Sequence, residues 1–538
     1  VTDTSRAALP RRLTFLLGAT LASALALLPA STQRPPGVDY TNPVIAGDYP
    51  DPSVIRVGND YWATATTSQW GPLFPILHSR DLVNWRVLGA AMERRPPWSD
   101  GSYWAPEIWH GLGRFFIYYT ARKSGGPLCV AVATASVPAG PYSDHGPLVC
   151  QDAGSIDAMP IEDEAGQLHL VWKEDGNSRR QPTIIWSQPL SADGLRLTGD
   201  KQELFHNDAR WEGNVVEGPF VLRRNGWFYM FYSGNACCGR ACEYALGVAR
   251  SRVLSGPWEK YPGNPILPGN ADWKCPGHGS IVSDPAGRHF LLYHAYSTTD
   301  TIYVGRQALL DEVIWQPDGW PSINAGRGPS RRAPSPHGVP ERNAEYAVVD
   351  EFRSTSLMPG WQWPQDNVPS WRIEPASGGW LVLTADPSRA MDPLAGVLAR
   401  TTTTRNYVAT TRLEAARLRP GTVAGIAAFG DNSNAAGVAV GDGGVRVWIR
   451  SKDEGDRTVG IRAAAGRTVQ LRLTAAEGFR LRFSMSVDGR EWTDVGEAVE
   501  GRDLPPWDRA VRIALTVGGV KGATARFDWF RMEPTQEK

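Results

Sequence analysis

Long apolar runs, surplus charge, sulfur and imidazole are all scarce in these 538 residues. Lys plus Arg and Asp plus Glu each number 56, giving a formal net charge of zero, and no basic block interrupts the balance. A protein whose main partner is nucleic acid or an anionic membrane needs a field of one sign, so both classes are disfavoured. Only seven methionines, nine histidines and six cysteines are present. The densest cysteine cluster, "NACCGRAC" ending at Cys242, has no histidine at zinc spacing, which weighs against a metal centre there. No nucleotide or redox cofactor is implied.

The single long apolar run, "LTFLLGATLASALALLPA", follows Arg11 and Arg12 and ends at Ala30. Its length and small-residue end predict an export signal over residues 1–30, cleaved near Ala30, and no second span follows to hold the chain in a membrane. "RRLTFLL" has a weak twin-arginine likeness, but the general secretory route is the preferred reading, with a single N-terminal anchor as the alternative. The expected mature protein is secreted and free of the membrane. Cysteines in an exported chain predict disulfides. Cys129 and Cys150 flank one segment and are placed to pair. Cys237, Cys238, Cys242 and Cys275 allow three connectivities, one of them a vicinal bridge between Cys237 and Cys238.

What the sequence has in quantity is glycine (56), proline (42) and tryptophan (22), the composition of a turn-rich, all-β protein. The length calls for two or three domains. Five segments share one pattern: "GNDYWATATTS" from Gly58, "GRFFIYYTAR" from Gly113, "GQLHLVWKED" from Gly166, "NGWFYMFYSG" around Gly226 and "GRHFLLYHAY" from Gly287. A turn glycine followed by alternating aromatic and aliphatic residues reads as a half-buried strand. The glycines recur every 53 to 61 residues, a period of propeller-blade size, so five units predict a five-bladed β-propeller over residues 41–328. Each glycine is preceded by a short apolar strand, the expected innermost strand of its blade. Near the heads of those strands stand Asp51, Glu107, Asp157, Glu217 and His278. Four carboxylates and a histidine at similar offsets before their glycines point into one axial cavity.

These motifs resemble glycoside hydrolase family 43, the five-bladed propeller enzymes that remove arabinose, xylose or sometimes galactose from plant polysaccharides. The resemblance rests on "NPVIAGDYPDPSVIRVGNDYW", "FPILHSRDLVNW", "YWAPEI", "SIDAMP", "EGPFVLRRNGWFYMFYS", "CPGHGS" and "YVGRQALLDEV". It implies Asp51 as general base, Glu217 as general acid, and Asp157 as the third acid that orients the machinery and raises the donor's pKa. General acid and base are the two carboxyl roles an inverting glycosidase needs, and a nearby negative charge is expected to keep Glu217 protonated near neutral pH. The resemblance further implies that Arg306 reaches the sugar and the base, and that His278 faces a Ca2+ or Na+ ion in the channel, held largely by water. Trp104 and Trp70 are candidate hydrophobic walls for a sugar ring, with plain core packing as the alternative for both. Glu107 matches no catalytic role and is read as a structural acid.

From Ile323 to Glu345 the chain is rich in Pro, Arg and Gly without a hydrophobic period, so residues 329–345 read as a linker. Beyond it "GVRVWIR", "VQLRLTA", "LRFSMSVDGREW", "VRIALTV" and "ARFDWFRM" alternate as strands, with Asp488-Gly489 as a hairpin turn. Residues 346–535 are expected to form a β-sandwich, similar to the concanavalin-like C-terminal domain of family 43 β-xylosidases. The leading expectation is a secreted exo-acting hydrolase of pentose-containing plant polysaccharide, of β-xylosidase or α-L-arabinofuranosidase type, with no cofactor required. The alternatives are an exo-galactosidase of the same fold, a non-catalytic sugar-binding propeller, and a structural interaction propeller.

Overall fold

The computed structural model describes residues 38–336, 346–375, 378–389, 391–463 and 466–535. The expected export signal and its cleavage point lie outside them. Among the described residues no helix is long and apolar enough to cross a membrane.

Residues 53–323 form five antiparallel sheets of four strands, each in sequence order from the innermost strand outward. The innermost strands are Ser53–Val57, Ser99–Gly111, Ser155–Glu162, Val216–Arg224 and Trp273–Ser283, for blades 1 to 5. They contact one another in a closed ring, the fifth against the first. The five repeat glycines turn the first hairpin of each blade with φ between +64° and +85°, a region that penalises any Cβ. Alternation then buries one side of each sheet against the next. Five separate apolar clusters result, one at each blade junction, including a fifth-to-first cluster of Val54, Leu77, Phe290 and Leu310.

The segment read as a linker begins later than expected. Arg332–Pro334 pairs antiparallel with Asp39–Thr41, and Ser330 is buried against Asn42 and Asp311. A three-residue edge strand is too short to display a hydrophobic period, so the sequence pattern concealed it. Residues 337–345 lie outside the described part of the chain.

The second half is a sandwich of a nine-stranded and a six-stranded sheet. The alternating strands read from sequence are all present, as Gly444–Ser451, Val469–Ala476, Arg480–Ser486, Arg512–Gly518 and Thr524–Pro534. Its core lies between the sheets around Leu383, Ile426, Leu473 and Phe527. The six-stranded sheet is apolar on its other face as well, where Ala399, Ala427, Ala435, Ala439 and Ala514 leave room for a neighbour. That neighbour is Trp70 of the propeller. It is 2% exposed, 5.6 Å edge-on from Phe429 with the Arg512 guanidinium 4.5 Å over its ring. Trp70–Gly71 also pairs through its backbone with Trp363–Pro364. The expectation that Trp70 walls a sugar is therefore corrected: its large apolar ring is consumed in docking the two halves.

Candidate active site

On or just before each innermost strand, a residue with left-handed backbone stands at one level of the channel: Asp51, Ala105, Asp157, Gly218 and His278, with φ from +41° to +60°. These five stand in register around the axis and line one small channel cavity. The sequence reading that set Glu107 and Glu217 level with the other three is thus corrected. Glu107 lies two residues beyond its kink and lines the channel below. Glu217 lies one residue before its kink, the place held by Trp104 in blade 2 and Ile156 in blade 3. All three of these wall the large cavity above.

Neighbouring blades are fastened at this level by the kink amides. Ala105 N–H donates to Thr66 Oγ1 (2.7 Å), Asp157 N–H to Thr120 Oγ1 (3.2 Å), His278 N–H to Ser233 Oγ (2.9 Å) and Asp51 N–H to His294 Nδ1 (3.0 Å). Thr120, Ser233 and His294 pair across the blade with Trp104, Glu217 and Gly277, the residues just before the kinks. In blade 3 the equivalent position, opposite Ile156, is Lys173, which has nothing to accept with. Two bonds cross the junction in its place: Gly218 N–H donates to Asp157 Oδ2 at 3.0 Å, and Lys173 Nζ donates to Glu217 Oε2 at 2.7 Å. Lys173 Nζ is also held within its own blade by Asp175 Oδ1 at 2.9 Å.

Asp51 forms the floor of the cavity. Its Oδ1 accepts from Arg306 Nη1 at 3.1 Å and lies 3.5 Å from His278 Nδ1, while Oδ2 accepts from Thr66 Oγ1 at 2.6 Å. Burial opposes its ionisation, but Arg306 and then His278 outweigh burial and hold the carboxyl well below the usual range. His294 is neutral because burial lowers its pKa to about 4. Its Nδ1 accepts from the Asp51 amide, so its proton is on Nε2, and the 3.2 Å approach to Oδ1 is proximity rather than an ion pair.

Asp157 and Glu217 titrate in opposite directions. Burial raises Asp157 to about 7, with the Glu217 charge adding to the rise. Glu217 is lowered: burial opposes this, but the charge and hydrogen bond of Lys173 prevail, helped by Tyr244 OH donating to Oε1 at 2.8 Å. The expectation that a neighbouring carboxylate would lift Glu217 is therefore reversed in the unliganded site. The buried lysine of "LVWKED" was the overlooked signal, since a lysine inside an apolar strand demands a partner.

The cavity measures about 790 Å3. Trp104 stands half-buried on its wall, 6.3 Å edge-to-face from Trp507 of the sandwich. Arg306 donates from Nη1 to Asp51 and from Nη2 to the Asp508 carbonyl at 3.1 Å, so the sandwich completes the site. Nothing in "DLPPWDR" signals a pocket residue, and Trp507 and Asp508 were missed. All six cysteines are bridged: Cys129–Cys150, Cys237–Cys238 and Cys242–Cys275, the vicinal option being the one adopted. Cys237 and Cys238 lie on the cavity wall.

The family model described as glycosyl hydrolases family 43 matches residues 40–321, and one described as the β-xylosidase C-terminal concanavalin A-like domain matches residues 349–533. The chain belongs to glycosyl hydrolase family 43. A family 43 relative named xylan 1,3-β-xylosidase, from a Vibrio species, is 27% identical over 86% of this chain and 91% of its own length. Xylosidase/arabinosidase 43B of Humicola insolens is 32% identical over 54% of this chain, and the match spans only 56% of that enzyme. The crystal structure of the GH43 BlXynB protein from Bacillus licheniformis is 26% identical, with a TM-score of 0.78 over 92% of this chain and 100% of that one. Family 43 implies a channel ion at His278. Among the described residues no three His, Cys, Asp or Glu side chains converge to hold a metal, and both oxygens of nearby Asp51 already accept hydrogen bonds. The side chains present do not make a protein-held metal centre.

Proposed function

We propose that the protein is a secreted, inverting exo-glycosidase that removes terminal xylose or arabinose from plant polysaccharides or oligosaccharides. Asp51 is the general base, Glu217 the general acid, and Asp157 the proton-holding carboxyl that positions Glu217 through the Gly218 amide. Arg306 and Trp104 bind the sugar. The observation that carries the reading is that Asp51 and Glu217 line one cavity from blades 1 and 4, each held by its own cation, Arg306 at 3.1 Å and Lys173 at 2.7 Å. His278 lies 3.5 Å from Asp51 and beside Gly218, which follows Glu217. A base on the floor and an acid on the wall, carried by different blades, suit the wider carboxyl spacing of about 6.5–9.5 Å that admits a water.

In the empty site Asp51 is ionised, ready to take a proton from that water, and the shared proton of the acidic pair rests on Asp157. A sugar entering the cavity strips water from Glu217, which disfavours its charged form and moves the proton onto it for donation to the leaving oxygen. Residues of the sandwich loop and the cysteine loop add to the wall of the pocket, an arrangement that favours attack on chain ends. No cofactor is needed, and a channel Ca2+ or Na+ at His278 would be held largely by water. Export is supported by the apolar segment before Ala30 and by the three disulfides.

Proton NMR on 4-nitrophenyl β-xyloside and 4-nitrophenyl α-L-arabinofuranoside tests the reading. The inverted sugar is expected to appear first and to mutarotate afterwards. Initial release of the starting anomer would overturn the single displacement, and no cleavage of either compound would overturn the pentose assignment.

A further inference from the structure

We infer that the Cys237–Cys238 disulfide is a platform for the sugar on the leaving-group side of the scissile bond, deepening the exo-glycosidase reading on which it rests. A bridge between neighbours in sequence closes almost no loop, so it restrains little unfolded-chain entropy. The other two bridges span 21 and 33 residues and do that work. What the vicinal bridge supplies is shape, a stiff, polarisable and apolar patch with no rotamers to lose.

Its position gives the patch a role. Cys237 and Cys238 line the same cavity as Glu217 and are half-buried, so one face remains open to it. Behind them Cys237 packs on the apolar cluster of Tyr244, Cys275, Tyr296 and Ile302, and the Tyr244 hydroxyl holds Glu217. The loop is fixed on every side. Gly239 N–H donates to Tyr296 OH at 3.3 Å, Arg240 bonds the Arg502 carbonyl of the sandwich, and Cys242–Cys275 ties it to the strand that carries His278. The α-carbon of Gly239 comes so close to the Trp507 carbonyl that a Cβ there would lie 3.4 Å from it. The acid donates to the oxygen joining the two sugars, so the sugar that leaves sits beside Glu217 at the mouth, between this loop and Trp507. Its C–H-rich face meets the sulfurs.

The test compares leaving groups of different reach in the wild type and in the Cys237→Ala/Cys238→Ala double variant. β-Xylosyl fluoride and α-L-arabinofuranosyl fluoride have a leaving atom too small to touch the platform, whereas xylotriose and arabinotriose place a sugar on it. On whichever trisaccharide the wild type cleaves, the variant is expected to lose about tenfold or more in kcat/KM, with the matching fluoride changed less than about twofold. Equal losses on both, or no loss on either, overturn the platform while leaving the glycosidase reading intact. A wild type inactive on all four compounds overturns the glycosidase reading and the platform with it. As a second measurement that does not need the double variant to fold, phosphine reduction of this bridge in Glu217→Gln protein should slow at least tenfold with the trisaccharide and not with the monosaccharide. Unchanged reduction would also overturn the inference.

Discussion

Lys173 Nζ lies 2.7 Å from Glu217 Oε2, and the two groups belong to adjacent blades. At four of the five blade junctions the kink amide goes to a side chain on the blade's second strand or the segment just after it, and between blades 3 and 4 it goes to Asp157 of the innermost strand. Here a lysine stands instead, 1% exposed, and turns the junction into an ion pair that fixes the carboxyl in the cavity wall. Removing it as Lys173→Met withdraws the cation that favours ionised Glu217, so the pKa of Glu217 rises. Because the acid must be protonated to act, the basic limb of the kcat/KM profile should move to higher pH, by about 1–3 units. Lys173→Arg should keep most of the wild-type profile. An unmoved basic limb in Lys173→Met would mean that Glu217 is not the titrating acid.

The base has the opposite dependence. Arg306 is the chief partner holding Asp51 ionised, so Arg306→Met should raise the Asp51 pKa and shift the acidic limb of kcat/KM upward by about 1–3 units. The sign for stability follows from the same depression. The folded carboxyl binds its proton less readily than the unfolded one, so its contribution is present above roughly pH 4 and disappears as the pH falls. Asp51→Asn and Glu217→Gln should each cost about 100- to 10,000-fold in turnover while retaining a wild-type circular dichroism spectrum. Near-normal turnover in either would remove that residue from the mechanism.

Much of this was legible because the repeat is periodic in the residues that make hairpins: the glycines after each inner strand and the aromatic alternation that follows. The level of each acid was not, because no single residue type spells the left-handed kink. Asp51 and Asp157 share a side chain, but Ala105, Gly218 and His278 share only the conformation with them, so counting back from the turn glycine placed Glu107 and Glu217 wrongly by one or two residues. The sandwich contributions were also hidden. Trp70, two residues before a proline, and Trp507, directly after one, both sit in turn-like sequence, and only the docked surfaces separate the one buried at the interface from the one left in the cavity. Lys173 was readable in principle, since an isolated lysine in "LHLVWKE" is buried with its strand.

Glu107 gives a pH dependence independent of catalysis. Burial in the channel, against which a Ser53 hydrogen bond works, raises it from 4.5 to about 8. The folded protein therefore keeps this proton between those values while the unfolded chain releases it, and stability falls as pH rises through that window. Glu107→Gln removes the ionisable group, so urea unfolding at pH 8 should show a gain over wild type that is absent near pH 4.5. A gain of equal size at both pH values would refute burial of a protonated Glu107.

The two tryptophans make opposing predictions. Trp70 is closed between blade 1 and the alanine face of the sandwich, so Trp70→Ala leaves a cavity where an indole was packed and should destabilise the protein by about 3–5 kcal/mol. It does not line the cavity of the site, and KM should stay at the wild-type value while the folded fraction is assayed. Trp507 is 63% exposed, so its loss should alter stability by no more than about 0.5 kcal/mol. It meets Trp104 edge-to-face on the cavity wall, and without it a bound sugar loses part of that aromatic wall, so KM should rise with kcat little changed. Thermal unfolding and steady-state kinetics on the two variants read this out together. If Trp70→Ala raised KM at unchanged stability, the indole would have to reach substrate, and the interface described for it would be wrong.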